Sequence, residues 1–204
     1  MPGALTASRP ADGEKRNGRK PIELLTPLKG ELYTYRLIRP EKIHPGRTEL
    51  RIDLGFSCHK EAAMKGAASL KAGDIALSEW VEGDVYRLNK TAGKTDANLF
   101  TYDAYIERVV DGDTLFVQVD LGFGFWTRQY LRLRGIDAPE IDSSEGKRAK
   151  KFVESELAGV PYLTIHSTRS DKYDRYLADI FYVSKTGEAF LNNRLLERRL
   201  AWRV

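Results

Sequence analysis

Residues 102–121 read YDAYIERVVDGDTLFVQVDL and contain two β-rich runs on either side of a turn. Asp111-Gly112 is a strong hairpin signal, because aspartate and glycine accept the backbone angles of tight turns. The run from Thr114 to Leu121 alternates apolar and polar residues, as a strand with one buried face does. We therefore predict a strand from Tyr102 to Val110, a hairpin, and a return strand from Thr114 to Leu121.

The elements that follow extend this hairpin towards a small barrel. Further strands are predicted at 127–136, 162–167 and 175–183. Helices are predicted from about Ser144 to Gly159 and from about Phe190 to Arg199. The order of three strands, a helix, two strands and a helix predicts a mainly β, α+β fold. We expect a five-stranded OB-type barrel with two helices, preceded by a smaller β-containing module.

An internal repeat connects the two halves of the chain. Tyr33-Thr34-Tyr35 corresponds to Phe100-Thr101-Tyr102, and the segment 52–56 corresponds to 119–123, both at an offset of 67 residues. Two separate matches at one spacing favour a duplicated strand pair over coincidence. We therefore interpret the amino-terminal half as a degenerate partial copy of the carboxy-terminal half.

Composition along the chain predicts four parts. These are a flexible leader (1–22), an amino-terminal module (23–90), a polar linker (91–98) and a carboxy-terminal barrel domain (99–204). An alanine-rich run from Lys60 to Ala72 predicts a helix in the amino-terminal module. Nucleic-acid binding, bracing of the barrel and homodimer formation all stay open as roles for this module.

Composition also limits the class of protein. The net charge is +4, but sixteen Lys and Arg balance sixteen Asp and Glu from Thr101 onward, so charge alone does not establish a nucleic-acid partner. Cys58 is the single cysteine, which excludes an internal disulfide. No apolar run approaches the ~20 residues of a membrane span or forms a signal-peptide core. We expect a soluble, cytoplasmic protein without a membrane partner; secretion stays open if a leader was removed.

Three short segments carry candidate chemistry: Val110–Thr114, Arg132–Glu140 and Asp171–Tyr176. Each alone has a structural explanation, as a turn, a strand exit fixed by proline, or a charged hairpin tip. Arg132 should face a polar cleft, because its neighbours in alternation are the apolar Leu131 and Leu133. A surface ion-pair network is the alternative explanation for these charges.

Taken together and in this order, the three segments resemble the staphylococcal nuclease (thermonuclease) family, whose fold is the OB barrel. The resemblance covers nearly all of residues 102–202 and includes Gly146-x-x-Ala149-x-x-Phe152-Val153. It departs from the family pattern at Arg199, where the family commonly has glycine, and before the third helix of the prototype, which the chain does not reach.

The resemblance implies a site and a cofactor. Asp113 and Asp137, with the backbone carbonyl of Ala138, match the residues that hold Ca²⁺, which prefers hard oxygen ligands. The resemblance implies catalytic and substrate-binding roles for five more residues: Glu140 as general base near the metal-bound water, Arg132 and Arg175 on the scissile phosphate, and Lys172 and Tyr173 at the bound nucleotide. At the repeat offset, His44–Arg47 replaces the first metal aspartate, so the amino-terminal copy is predicted to be catalytically inactive.

Two functions from different classes follow from these residues. The first is a calcium-dependent nuclease acting on DNA, RNA or both. The alternative is a non-catalytic OB-type module that binds nucleic acid or protein. An OB-type assembly subunit with surface ion pairs is a third interpretation. The three tryptophans, Trp80, Trp126 and Trp202, either stack on bases or pack at the barrel rim.

Overall fold

The computed structural model describes residues 22–41, 49–170 and 175–204. The predicted leader, apart from Ile22, lies outside the described residues, as do His44–Arg47 and the predicted substrate-binding residues Lys172 and Tyr173. No helix in the described part of the chain is both long and apolar enough to cross a membrane.

The carboxy-terminal half folds into a closed five-stranded barrel, as predicted from the sequence. Its elements are β6 (Thr101–Val109), β7 (Thr114–Asp120), β8 (Trp126–Leu133), β9 (Ile136–Asp137), α1 (Ser144–Glu156), β10 (Leu163–Ser170), β11 (Tyr176–Ser184), β12 (Gly187–Phe190), α2 (Leu191–Glu197) and β13 (Trp202–Arg203). The sheet has the order β10-β6-β7-β8-β11-β12, and β10 also pairs with β11, which closes the ring. The pair of β8 and β11 is parallel.

Alternation of side chains builds the barrel core. Leu115, Val117 and Val119 on β7 are fully buried, whereas the residues between them are partly exposed. The hairpin forms as predicted: the Val110 amide donates to the Thr114 carbonyl oxygen at 2.9 Å. The side chain of Asp111 accepts from the Asp113 amide at 3.0 Å and thereby fixes the turn.

Two short strands were not predicted from the sequence. β12 extends the barrel sheet before α2, and β13 pairs antiparallel with β9. In the second pair Trp202 lies opposite Asp137, so the end of the chain holds the segment that carries this aspartate. Strands of four and two residues leave almost no periodicity, and only tertiary pairing reveals them.

The amino-terminal half forms a second sheet with the order β3-β2-β1-β4-β5. Its strands are β1 (Thr34–Ile38), β2 (Arg51–Asp53), β3 (His59–Glu61), β4 (Ile75–Glu82) and β5 (Val85–Lys90). The helix predicted from Lys60 to Ala72 is wrong. The run instead holds the end of β3 and one 3₁₀ turn, Ala67–Ser69, because Gly66 adopts a left-handed φ of 86° that ends any helix there.

The structure contains the predicted strand pair twice. Leu37 lies opposite Ile52 between β1 and β2, and Ala104 lies opposite Val119 between β6 and β7, which is the same register at the offset of 67 residues. β4 flanks β1 as β10 flanks β6. We call residues 34–90 the amino-terminal copy and residues 101–184 the carboxy-terminal copy.

The two copies contact one another through hydrogen bonds from equivalent tyrosines. The Tyr35 hydroxyl donates to the Leu121 carbonyl oxygen at 2.9 Å, and the Tyr102 hydroxyl donates to the Leu54 carbonyl oxygen at 3.0 Å. Both tyrosines are buried, and the apolar residues of both copies form one continuous core. The amino-terminal copy therefore shares its hydrophobic core with the barrel. The domain boundaries stay predictions.

Candidate functional site

A polar cleft of about 550 Å³ opens at one end of the barrel. Its walls come from the β6–β7 hairpin, the ends of β8 and β9, the loop before α1 and the start of β11. The charged residues that the sequence singled out, so far as the structure describes them, all line it. The complete lining is Asp111, Asp113, Arg132, Asp137, Ala138, Pro139, Glu140, Ile141 and Arg175.

Asp113 is the most buried acid of the cleft, with 6% of its surface exposed. Its Oδ2 accepts from the Ala138 amide at 2.9 Å and its Oδ1 from the Thr114 hydroxyl at 2.9 Å. Burial raises the pKa of the Asp113 carboxyl, and the hydrogen bond from the Ala138 amide opposes that rise. The hydrogen bond from the Ala138 amide holds the hairpin turn against the segment that follows β9.

Arg132 reaches the cleft because of strand alternation on β8. Leu131 and Leu133 beside it point into the core, with at most 1% of each side chain exposed. The neighbouring Arg134 leaves the strand on the same side as Arg132 but forms hydrogen bonds of 2.6 and 2.9 Å with the fully buried Asp179. Arg132 therefore faces the cleft, whereas Arg134 compensates a buried charge.

Asp137 and Asp113 converge on the guanidinium of Arg132. Arg132 Nη2 donates to Asp137 Oδ1 and lies 3.7 Å from Asp113 Oδ2. One cationic nitrogen thus lies between two carboxylates from distant parts of the sequence. This arrangement keeps two acids close together without leaving their mutual repulsion uncompensated.

The composition of the site around Asp113 and Asp137 suits a calcium ion. The side-chain donors are hard carboxylate oxygens, and Ca²⁺ completes such a set with backbone carbonyl oxygens and water. The described residues contain no group of three or more His, Cys, Asp or Glu that could hold a metal. A cation there would depend on Asp113, Asp137 and non-side-chain oxygens, which is the composition that the resemblance implies.

Glu140 lies at the rim of the cleft, exposed to solvent. Its carbonyl oxygen accepts from the Ser143 amide at 3.0 Å and the Ser143 hydroxyl at 2.6 Å. A Cβ on Gly146 would lie 2.1 Å from the same carbonyl oxygen, so only glycine lets α1 approach this closely. The backbone of Glu140 is therefore fixed by the start of α1, and its carboxylate stays accessible.

Arg175 enters the cleft immediately before β11. Its Nη1 lies 3.5 Å from Thr114 Oγ1, the hydroxyl that also binds Asp113. Sequence reasoning missed Thr114 as a member of the site. Its position directly after Asp113 was the available signal, but a threonine at the start of a strand is ordinary there.

Comparison with known proteins supports the resemblance for the carboxy-terminal part of the chain. Residues 130–204 match the family model described as staphylococcal nuclease homologue. The matched range includes Arg132, Asp137, Glu140 and Arg175 and begins after Asp113.

Two curated relatives are similar over about half of the chain. An uncharacterized 38.1 kDa protein of Capnoides sempervirens is 32% identical over 101 residues, which cover 49% of this chain and 28% of the relative. An uncharacterized protein of Methanocaldococcus jannaschii is 30% identical over 121 residues, which cover 47% of this chain and 56% of the relative. Each relative is thus matched over less than two thirds of its own length.

Proposed function

We propose that the carboxy-terminal barrel is a calcium-dependent nuclease that hydrolyses phosphodiester bonds in DNA, RNA or both. The observation that carries the proposal is a single cleft lined by two arginines, Glu140 and two aspartates that share one cationic partner. The match of residues 130–204 to staphylococcal nuclease homologues supports a nuclease-type domain.

The arginines meet the main electrostatic demand of the reaction. Phosphodiester hydrolysis places additional negative charge on the phosphoryl oxygens in the transition state. Arg132 lies on β8, and Arg175 immediately precedes β11, the strand that pairs with β8. Both arginines line the same cleft, so both guanidinium groups can donate to one phosphate. A guanidinium forms two parallel hydrogen bonds with phosphate oxygens, which adds orientation to charge.

The carboxylates divide into two roles. Asp113, Asp137 and the Ala138 carbonyl would hold the calcium ion, which supplies positive charge beside the phosphate. Arg132 then exchanges Asp137 for a phosphate oxygen. Glu140, exposed on a fixed backbone, accepts the proton of the attacking water.

Degradation of denatured DNA and of RNA, with calcium and with chelator, tests the proposal. Glu140→Gln keeps the side-chain shape and removes the base, so we expect a loss of about 10²-fold or more in turnover. Glu154→Gln makes the same change on the exposed face of α1, outside the cleft, and should cleave like wild type.

Three outcomes contradict the proposed function. Cleavage that is equal with calcium and chelator, or equal in Glu140→Gln and wild type, removes the mechanism. If an oligonucleotide binds but stays intact at every calcium concentration, the domain is the non-catalytic binding module instead.

A further inference from the structure

A second cavity, of about 280 Å³, lies where the two copies meet and is separate from the cleft. Its walls are mainly aromatic and come from both copies. It shares no lining residue with the cleft. The residues that matter here are Tyr33, Trp80, Tyr86, Asp120, Phe123 and Trp126.

The strands fix these rings in place. Trp80 lies opposite Tyr86 in the β4–β5 pair, and its indole Nε1 donates to the Gly83 carbonyl oxygen at 2.8 Å. The rings of Tyr86 and Phe123, one from each copy, lie 5.0 Å apart at an interplanar angle of 58°. The cavity is therefore built from regular strands and a ring contact between the copies.

Two of the rings are exposed to an unusual degree for tryptophan. Trp80 has 63% of its surface exposed and Trp126 has 45%. Both line the same cavity although they are 46 residues apart in sequence. Large apolar surface left uncovered at a concave site is typical of ligand binding.

The charge of the cavity is negative. Asp120 is the charged residue among those that line it, and no lysine or arginine is found in this lining within the described residues. Burial is the largest cause that raises the pKa of Tyr33 to about 12, and the negative charges of the nearby Asp120 and Asp103 add to the rise. A negative field here repels phosphate groups and attracts cations.

The equivalent place in the repeat shows that a tryptophan at position 126 is not required for packing. Phe56 and Tyr176 there form a ring contact of 4.6 Å, equivalent to that of Phe123 and Tyr86. His59 lies opposite Asp53 where Trp126 lies opposite Asp120. The fold thus holds together with histidine at this position, and the second exposed tryptophan is a difference between the copies.

We infer that this cavity binds a methylated ammonium cation, of the kind carried by a trimethylated lysine side chain. Aromatic faces attract such cations electrostatically, and the weak hydration of the quaternary group lowers the cost of burying it. Asp120 adds the charge that a cation requires. Lys60, from outside the cavity, already has its ammonium 5.9 Å from the Phe123 ring, so Trp80 and Trp126 should contribute most to binding.

Isothermal titration with matched peptides tests this inference without using nuclease activity. A peptide with one trimethyl-lysine should bind at least tenfold more tightly than the unmodified peptide. Trp80→Ala and Trp126→Ala should each weaken binding about tenfold. Trp202→Ala removes a half-exposed tryptophan elsewhere and should leave binding unchanged.

A further variant, at Asp120, keeps the inference testable if the tryptophan variants fail to fold. Asp120→Asn keeps an oxygen for the Gly122 amide, which Asp120 Oδ1 accepts at 2.8 Å, and removes only the charge. It should weaken binding of the trimethyl-lysine peptide several-fold. Tetramethylammonium and choline, titrated alone, show whether a free cation suffices or a peptide is required; either result supports a site for methylated ammonium.

Equal affinity for the modified and unmodified peptides would overturn the inference, as would binding that Trp80→Ala, Trp126→Ala and Asp120→Asn all leave unchanged. Binding of a single-stranded oligonucleotide that both tryptophan variants abolish would also overturn it. That result would assign the cavity to base stacking. Because Glu140 lies in the other cleft, nuclease activity and cation binding succeed or fail separately.

Discussion

The amino-terminal and carboxy-terminal copies share a strand framework but differ in the chemistry attached to it. Both place the second strand of the pair opposite the first in the same register. A single parallel bridge between Lys65 and Arg87 stands where the carboxy-terminal copy pairs Arg132 with Leu177. Lys65 is thus the register equivalent of Arg132, at the offset of 67 residues.

The difference between the copies lies in the connections. The carboxy-terminal copy carries Asp137 and Glu140 after its third strand, and α1 follows them. The amino-terminal copy has Leu70 and Gly73 at the corresponding positions, directly after the 3₁₀ turn. A barrel alone therefore does not make the cleft. The site depends on short segments that the framework holds in place.

The largest expected effect separates Arg132 from its equivalent. Arg132→Lys should lower nuclease turnover about 10²-fold or more, because an ammonium cannot form the paired hydrogen bonds of a guanidinium with phosphate. Lys65→Ala in the amino-terminal copy should leave turnover unchanged. Cleavage rates on denatured DNA measure both, and an equal loss in the two variants would mean that both copies act on the substrate.

The next effect concerns the contact between the copies. A Cβ on Gly122 would lie 2.1 Å from the Tyr35 hydroxyl, and one on Gly55 would lie 2.0 Å from the Tyr102 hydroxyl. We expect Gly122→Ala and Gly55→Ala each to lower the free energy of unfolding by about 3 kcal/mol, through the clash and the left-handed backbone.

Gly124→Ala is the matched control for these two variants. Gly124 is also left-handed, with φ 75°, but no atom lies within 4 Å of a Cβ placed there. It should cost about 1 kcal/mol from backbone strain alone. Urea denaturation distinguishes the cases; similar losses at Gly122 and Gly124 would show that the tyrosine contact contributes little.

A smaller, pH-dependent effect concerns His166, which lies opposite Thr101 between β10 and β6. The equivalent residue in the amino-terminal copy is Leu77, which lies opposite Thr34 between β4 and β1. Burial lowers the pKa of His166 below its ordinary value of about 6.5. The unfolded chain therefore binds the proton more readily, and stability should fall as pH drops below that value. His166→Leu should show a weaker fall in melting temperature between pH 7 and pH 5. An identical pH profile in both proteins would contradict this assignment.

The smallest effect lies after α2, an element without a counterpart in the amino-terminal copy among the described residues. Arg199 has a left-handed φ of 55°, at the position where the resembled family commonly has glycine. Arg199→Gly should raise the free energy of unfolding by about 0.5 kcal/mol, the relief of strain being partly offset by added freedom of the unfolded chain. Chemical denaturation measures the change, and a loss of stability would mean that the arginine side chain contributes more than the strain costs.

The sequence alone predicted the barrel strands, both helices and the repeat, because period-two alternation, capping residues and an ungapped offset are local properties. The helix predicted from Lys60 to Ala72 is wrong, because the prediction gave more weight to the alanine-rich composition than to Gly66, which ends a helix there. The strands β12 and β13 were missed because they are too short to carry a pattern, and the strand predicted at 127–136 is divided into β8 and β9.

Residue types and their order also indicated the cleft, but only the tertiary structure brought the residues together. Asp113 and Asp137 meet at Arg132 because the β7–β8 pairing sets Thr114 opposite Arg132. Arg175 reaches the same cleft only through the parallel pairing of β8 with β11, which helps to close the barrel. The cavity with Trp80 and Trp126 was invisible to the sequence for the same reason. Local interactions determine elements, whereas distances between residues far apart along the chain are set by how those elements pack.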